Sequence, residues 1–353
     1  MNLRLPVRPM RAALAALAGA LLLASCSSAP PPVAAPPPPA PPPAPSIAMA
    51  PRLIEMASAY RGYMSRTTGI TPAFADGSGV SRSVQTGAAY EPDQMVRGAI
   101  AYGAVVALQD KAFVQAVRVF AGDREQRQRV TYEILRDPAY VLGFPTASNA
   151  AGLVAAALGG DAQSLYDQGK AVKQAAYDIQ HQPWSKSDVE AREARLAQAK
   201  SVSTAGMMGD VAETTRLQQA SLGAAPMSLP PSSVSATYTP TVVRGLAVAA
   251  LAALGQAGET DLGPILAMMN EPNVGRCMSM SKLNLYQCLA VARPHYEDVF
   301  CLGQHAMMDT GRCMIKAAGQ PEPYEARFVP DAKSIARDYP APKPPMKKAR
   351  RKG

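Results

Sequence analysis

Eleven of the sixteen residues from 30 to 45 are proline, and a run that dense forms neither helix nor sheet. It favours an extended polyproline II path at about 3.1 Å per residue, so it spans roughly 50 Å. The chain is thereby divided, and whatever folds compactly begins near residue 51. The roughly 280 residues from 51 to 330 suffice for one large core or two smaller ones.

The segment before the prolines is of another kind. Arg4, Arg8 and Arg11 precede an apolar stretch, Ala12 to Leu23, of 12 residues. A membrane-spanning helix needs about 20, whereas a secretory signal has this charge, this short apolar centre and small residues at its end. The stretch closes on Leu23-Ala24-Ser25-Cys26, which resembles the lipobox of bacterial lipoproteins. The resemblance implies cleavage before Cys26, acylation of that cysteine and a place outside the cytoplasm. Position 27 is serine, not the aspartate that marks inner-membrane retention in Gram-negative lipoproteins. The resemblance therefore implies the periplasmic face of the outer membrane.

The formal charge of +9 is concentrated at the two ends. Apart from the signal arginines, the excess lies in Lys343, Lys347, Lys348, Arg350, Arg351 and Lys352, with no acid after Tyr339, so residues 26–339 are close to neutral. Pro340, Pro342, Pro344 and Pro345 predict an extended, disordered start to this tail. Near an anionic surface each Lys or Arg contributes about 1 kcal/mol. The anions of the expected compartment are lipid head groups, lipopolysaccharide and peptidoglycan carboxylates. Nucleic acid is excluded on the same ground.

Between these ends, apolar residues recur at helical spacing. Leu53, Ala57, Tyr60 and Met64 form one stripe; residues 92–109 form an alanine-rich helix with Pro92 in its first turn; Asp123 caps a helix containing Val130 and Ile134. Residues 146–158 predict a helix stopped by Gly159-Gly160. Leu165, Val172, Ala176 and Ile179 continue the period to Pro183, and Ser185 with Asp188 has the spacing of a capping box for a helix to Lys200. Residues 66–91 and 202–239 read as loops. β-branched alternation is scarce, and the fold class is all-α: an alanine-rich helical bundle or stacked helical hairpins. The expected organisation is a signal peptide at 1–25, a lipidated cysteine and linker at 26–50, a helical region at 51–201, a loop at 202–239, a cysteine-bearing helical region at 240–330 and a basic tail at 331–353. Val96-Arg97-Gly98 and Val243-Arg244-Gly245 open two alanine-rich helices alike, a faint sign of duplication.

Besides Cys26 there are Cys277, Cys288, Cys301 and Cys313. An even number in an exported chain predicts two disulfides. Cys277 and Cys288 are 11 residues apart, about 16 Å along a helix, whereas a disulfide needs Cα atoms within about 7 Å. The first choice is therefore the nested pairing, Cys288–Cys301 and Cys277–Cys313, across an antiparallel hairpin turning at Arg293-Pro294-His295. It is similar to twin-CX9C hairpins, with longer spacings. The sequential pairing, Cys277–Cys288 and Cys301–Cys313, is the alternative and requires a broken helix; Asp309-Thr310-Gly311 supplies a break in the second arm. Gly-Arg-Cys-Met occurs at 275–278 and again at 311–314, an offset near that of helical-hairpin repeats.

His295, Asp298, His305 and Asp309 are metal-ligand types near the turn, but no familiar zinc spacing joins them. Met268, Met269, Met278, Met280, Met307, Met308 and Met314 fit core filling better than copper binding. There is no Cys-x-x-Cys motif, nucleophile elbow or phosphate-cradling glycine loop, and no cofactor is implied. The expectation is a non-enzymatic scaffold or tether, held to the membrane by lipid and contacting peptidoglycan, lipopolysaccharide or envelope proteins. The alternatives are an enzyme or metal-binding protein using 295–309, or a subunit of a surface assembly.

Overall fold

The computed structural model describes residues 43–229 and 238–324. Every regular element among them is helical, and only two isolated bridges accompany the helices. No described helix is long and apolar enough to cross a membrane.

In chain order the helices are α1 (Pro51–Thr68), α2 (Gly77–Ala88), α3 (Pro92–Ala107), α4 (Lys111–Arg118), α5 (Arg124–Arg136), α6 (Ala147–Ile179), α7 (Pro183–Lys186), α8 (Arg192–Thr204), α9 (Val211–Ser221), α10 (Pro240–Ala253), α11 (Leu262–Met268), α12 (Pro272–Val291), α13 (His295–Cys301) and α14 (Thr310–Ala317). A 3-10 turn, Pro138–Gly143, leads into α6, and a π-helical stretch, Leu302–Asp309, joins α13 to α14 without interruption.

Small side chains decide how these helices pack. α3 and α10 are buried almost throughout. They cross where Gly245 meets Gly103: a Cβ on Gly245 would lie 3.4 Å from the Gly103 carbonyl carbon. α1 lies on the other side of α3, where a Cβ on Gly98 would be 2.7 Å from the Met56 oxygen. The two Val-Arg-Gly sequences thus each put a glycine at a helix crossing. The long α6 runs antiparallel to the arm 295–317. A Cβ on Gly169 would fall 2.7 Å from the Met307 Cβ, and one on Gly303 would collide with the backbone of Lys173 and Gly169. Backbones approach this closely only where side chains are absent.

Sequence boundaries fail where small residues dominate. The expected loop at 66–91 contains α2, because Asp76 accepts from the Gly79 N–H at 2.7 Å and Val80, Val84 and Ala88 bury one stripe. The expected loop at 202–239 contains α9, capped by Asp210 through the Glu213 N–H at 3.0 Å and buried at Leu217 and Ala220. Helices on either side of it share one apolar core. Gly159-Gly160 stops nothing: α6 runs through it, and Gly159 makes room for Gln320, whose Cγ lies 2.7 Å from where a Cβ would be. Ser185 caps no helix. It is buried, its hydroxyl donating to the Ile179 and Gln182 oxygens, and α8 starts only at Arg192. Pro92 and Asp123 open α3 and α5 as expected, Asp123 accepting from the Gln126 N–H at 2.7 Å.

The disulfides are Cys277–Cys313 and Cys288–Cys301, with Cα atoms 5.7 and 5.6 Å apart. The two Gly-Arg-Cys-Met copies are therefore opposite points on one hairpin, not successive units of a stack. Their bonding poses a register problem. Eleven residues in the α12 arm bring two positions to within about 20° of one face, but twelve in the return arm leave them about 120° apart. The π-helical stretch lies between Cys301 and Cys313, and a π turn absorbs one extra residue. This is also why Asp309-Thr310-Gly311 continues the helix where a break was expected.

Two predictions follow from this packing. Gly303→Ala should destabilise the fold by about 1–3 kcal/mol through overpacking, measured by urea unfolding, whereas Gly122→Ala, with no atom within 4 Å of the new Cβ, should change little. Deleting Gln304 from the π stretch should leave both disulfides able to form, while deleting Asn284 from α12 should scramble or prevent the Cys277 bond; peptide mapping without reduction reads the difference.

Candidate functional site

Of the residues singled out for function, Cys26 and the cations Lys343, Lys347, Lys348, Arg350, Arg351 and Lys352 lie outside the described residues, as do the proline run up to residue 42 and the tail prolines. Residues 43–50 run along the end of α10, where the Ala48 and Ala50 N–H groups donate to the Ala252 and Ala257 oxygens at 3.1 and 2.7 Å.

The four metal-ligand types do not converge. Asp298 is 1% exposed and faces Arg195, whose Nη1 is 2.5 Å away. His305 Nδ1 and Asp309 Oδ2 are 2.8 Å apart, one turn of helix from each other, and Asp309 also takes Gln304 at 2.9 Å. His295 packs near the Trp184 ring, with centroids 6.3 Å apart. Burial, and secondarily Arg195, lowers its pKa. Among the described residues no three metal-ligand side chains share a site. Six of the seven methionines are buried core and Met280 alone is exposed, at 55%.

What gathers near the hairpin turn is a set of charges, with Arg195, Asp298 and Lys282 buried and Arg192 half-buried. The Arg192 guanidinium donates to the Ala292 and Ala290 oxygens at 2.8 and 2.9 Å, and Arg195 donates to that of Leu289. Two α8 arginines thus satisfy the last carbonyls of α12, where the helix leaves them unpaired and its dipole is negative. Burial pushes the Asp298 carboxyl up to about 6 against the opposing pull of Arg195. Two turns back along α12, Lys282 is 6% exposed. Its Nζ donates to the Ala88, Tyr90 and Ser203 oxygens and stands 4.3 Å from the Tyr90 ring centroid. Burial pushes it down to about 7. One ammonium therefore joins α12 to the ends of α2 and α8.

Directly beside this knot an open groove of about 380 Å³ lies between α6, α12 and α13. Tyr177, Tyr296, Phe300 and Val291 line it, and the Cys288–Cys301 disulfide borders it. Tyr177 and Phe300 meet edge to face, with centroids 6.3 Å apart. Tyr177 is 48% exposed and Val291 74%. Glu297 sits at the rim, accepting the Arg293 N–H at 2.8 Å. Exposed aromatic faces in a concavity bind flat apolar or extended peptide-like groups. A second cleft, between α1 and α9, holds Arg61, Arg66, Glu213 and Arg216, with Glu213 bonded to Arg216 at 2.6 and 2.7 Å. Glu213 also faces Arg61 at 3.5 Å, and Arg61 pairs with Asp161 of α6.

Of the groove residues, the sequence singles out Cys288 and Cys301, as a disulfide; Tyr177, Tyr296 and Phe300 carry no signal there. Compared with known proteins, the chain matches no family profile, no curated protein and no solved structure.

The Lys282 pKa is lowered from 10.5 to about 7. Between those values the unfolded chain holds a proton that the folded chain has released, so this lysine's contribution to stability rises with pH and is lost as pH falls through about 7. The stability gap between wild type and Lys282→Met should therefore widen in favour of wild type from pH 7 to 9.5 in urea titrations. A constant gap would mean that the lysine titrates as it does in water.

Proposed function

We propose that this chain is a lipid-anchored envelope lipoprotein, on the periplasmic face of the outer membrane, that acts as a non-enzymatic scaffold or tether. The observation that carries the reading is Leu23-Ala24-Ser25-Cys26, placed directly after a short apolar stretch headed by three arginines. The two disulfides support it, since such bonds persist in oxidising compartments. So does the order of parts: acceptor cysteine, proline spacer, helical domain, cationic tail. The spacer gives reach from the lipid, the domain presents the groove, and the tail contacts an anionic envelope polymer such as peptidoglycan or lipopolysaccharide.

Two measurements test the reading together. Cys26→Ala should release the protein from membranes, and persistent membrane association would contradict the anchor. Soluble residues 27–353 should pellet with purified sacculi at low salt, less so at moderate salt, and much less without the last eleven residues. Pelleting that ignores both salt and tail would remove the tail from the mechanism.

A further inference from the structure

We propose that the aromatic groove between α6, α12 and α13 holds the chain's own C-terminal proline segment, residues 340–345. The inference goes beyond the tether reading and does not depend on the lipid anchor.

The groove is lined by Tyr177, Tyr296 and Phe300, with Val291 beside them. Aromatic-lined grooves of this kind take polyproline II segments, because proline rings stack on aromatic faces and the extended path is already formed before binding. Such a helix has three residues per turn, so Pro342 and Pro345 lie on one side, with Pro344 adjacent.

Reach selects this segment over the other proline run. The described chain ends at Tyr324, just after Gln320, which packs at Gly159 midway along α6. The groove begins at Ala176, seventeen residues further, or about 25 Å along the helix. The residues from Tyr324 to Pro340 extend about 50 Å, which covers that distance with slack. The N-terminal run starts from the other end of α6. Arg118 donates to the Pro45 oxygen at 3.0 Å. Its neighbour Phe120 lies 5.9 Å, ring to ring, from Phe144, three residues before α6 begins. From Ala147 to the groove at Ala176 is about 44 Å, whereas residues 30–42 as polyproline cover about 40 Å, so this run lacks the slack that the C-terminal segment has.

Glu297 at the rim offers a carboxylate to Lys343. Lys173, over the Phe300 ring, and Arg293 stand nearby as well, so ring stacking and not net charge carries the recognition.

The test is photo-crosslinking in the full chain, with p-benzoylphenylalanine in place of Tyr177 and the products mapped by mass spectrometry. The expected product joins position 177 to residues 339–347 of the same chain and runs as a monomer. Pro342→Ala with Pro344→Ala and Pro345→Ala should lower its yield several-fold without moving the melting temperature, because none of these residues belongs to the helical core. Crosslinks to residues 30–42, to a second copy or to another protein, or no crosslink to the tail at all, would overturn the proposal.

Discussion

Close approach between small-residue helix faces is the constraint on which the rest of this fold depends. Gly103 against Gly245, and Gly169 with Gly303, bring helix backbones nearer than any larger side chain allows. Such contacts gain dispersion energy over many atoms, but alanine and glycine bury little apolar area each, at about 25 cal/mol per Å². A core of this kind needs other means of fixing its elements, and this one has two: covalent bonds and buried charge. The disulfides close the α12–α14 hairpin at two levels. The charges hold the peripheral α2 and α8 to it.

The charged knot does more for specificity than for stability. A buried ion pair such as Arg195–Asp298 recovers little more than its own desolvation cost, yet losing either partner strands the other in the interior. Lys282 obeys the same logic with carbonyls in place of a carboxylate. Three oxygens from two segments, the ends of α2 and α8, converge on one ammonium, and three donors are what an ammonium has. Any alternative docking of α8 on α12 would leave these groups without partners, and that selects one arrangement among several that alanine faces alone would tolerate.

The fold class was legible because helical period and scarce β-branched alternation are local signals. So were Pro92 and Asp123, whose roles need only their own first turn, and the hairpin turn, set by Pro294 and the symmetry of four cysteines about it. Helix boundaries at glycine and serine were not. Gly159 reads as a stop because glycine is a poor helix former, and only the neighbouring Gln320 shows why it is there. α2 contains glycine and serine throughout its length, and its burial of Val80 and Val84 is a tertiary fact. The groove was hidden for the same reason. Tyr177 lies on one arm and Tyr296 and Phe300 on another, and no spacing in the sequence says that they meet.

Under the proposed tether role, the placement of the parts has a mechanical consequence. The chain comes in past Arg118 of α4 and is fastened by the Ala48 and Ala50 hydrogen bonds to Ala252 in α10 and Ala257 beyond it. The groove lies at the last turn of α6. With the proline segment of the tail seated in the groove, tension between the lipid and a polymer bound by the tail would load α6 and the arm packed antiparallel to it. Parallel load across an antiparallel pair is resisted by sliding contacts, and here sliding is blocked because Gly169 and Gly303 fit only in register. At the groove end the Cys288–Cys301 bond joins α12 to α13 covalently, so the cysteine hairpin cannot open where the load enters. At the other end two backbone hydrogen bonds, from Ala48 and Ala50 to Ala252 and Ala257, fasten residues 43–50 before the chain enters α1 and its buried face.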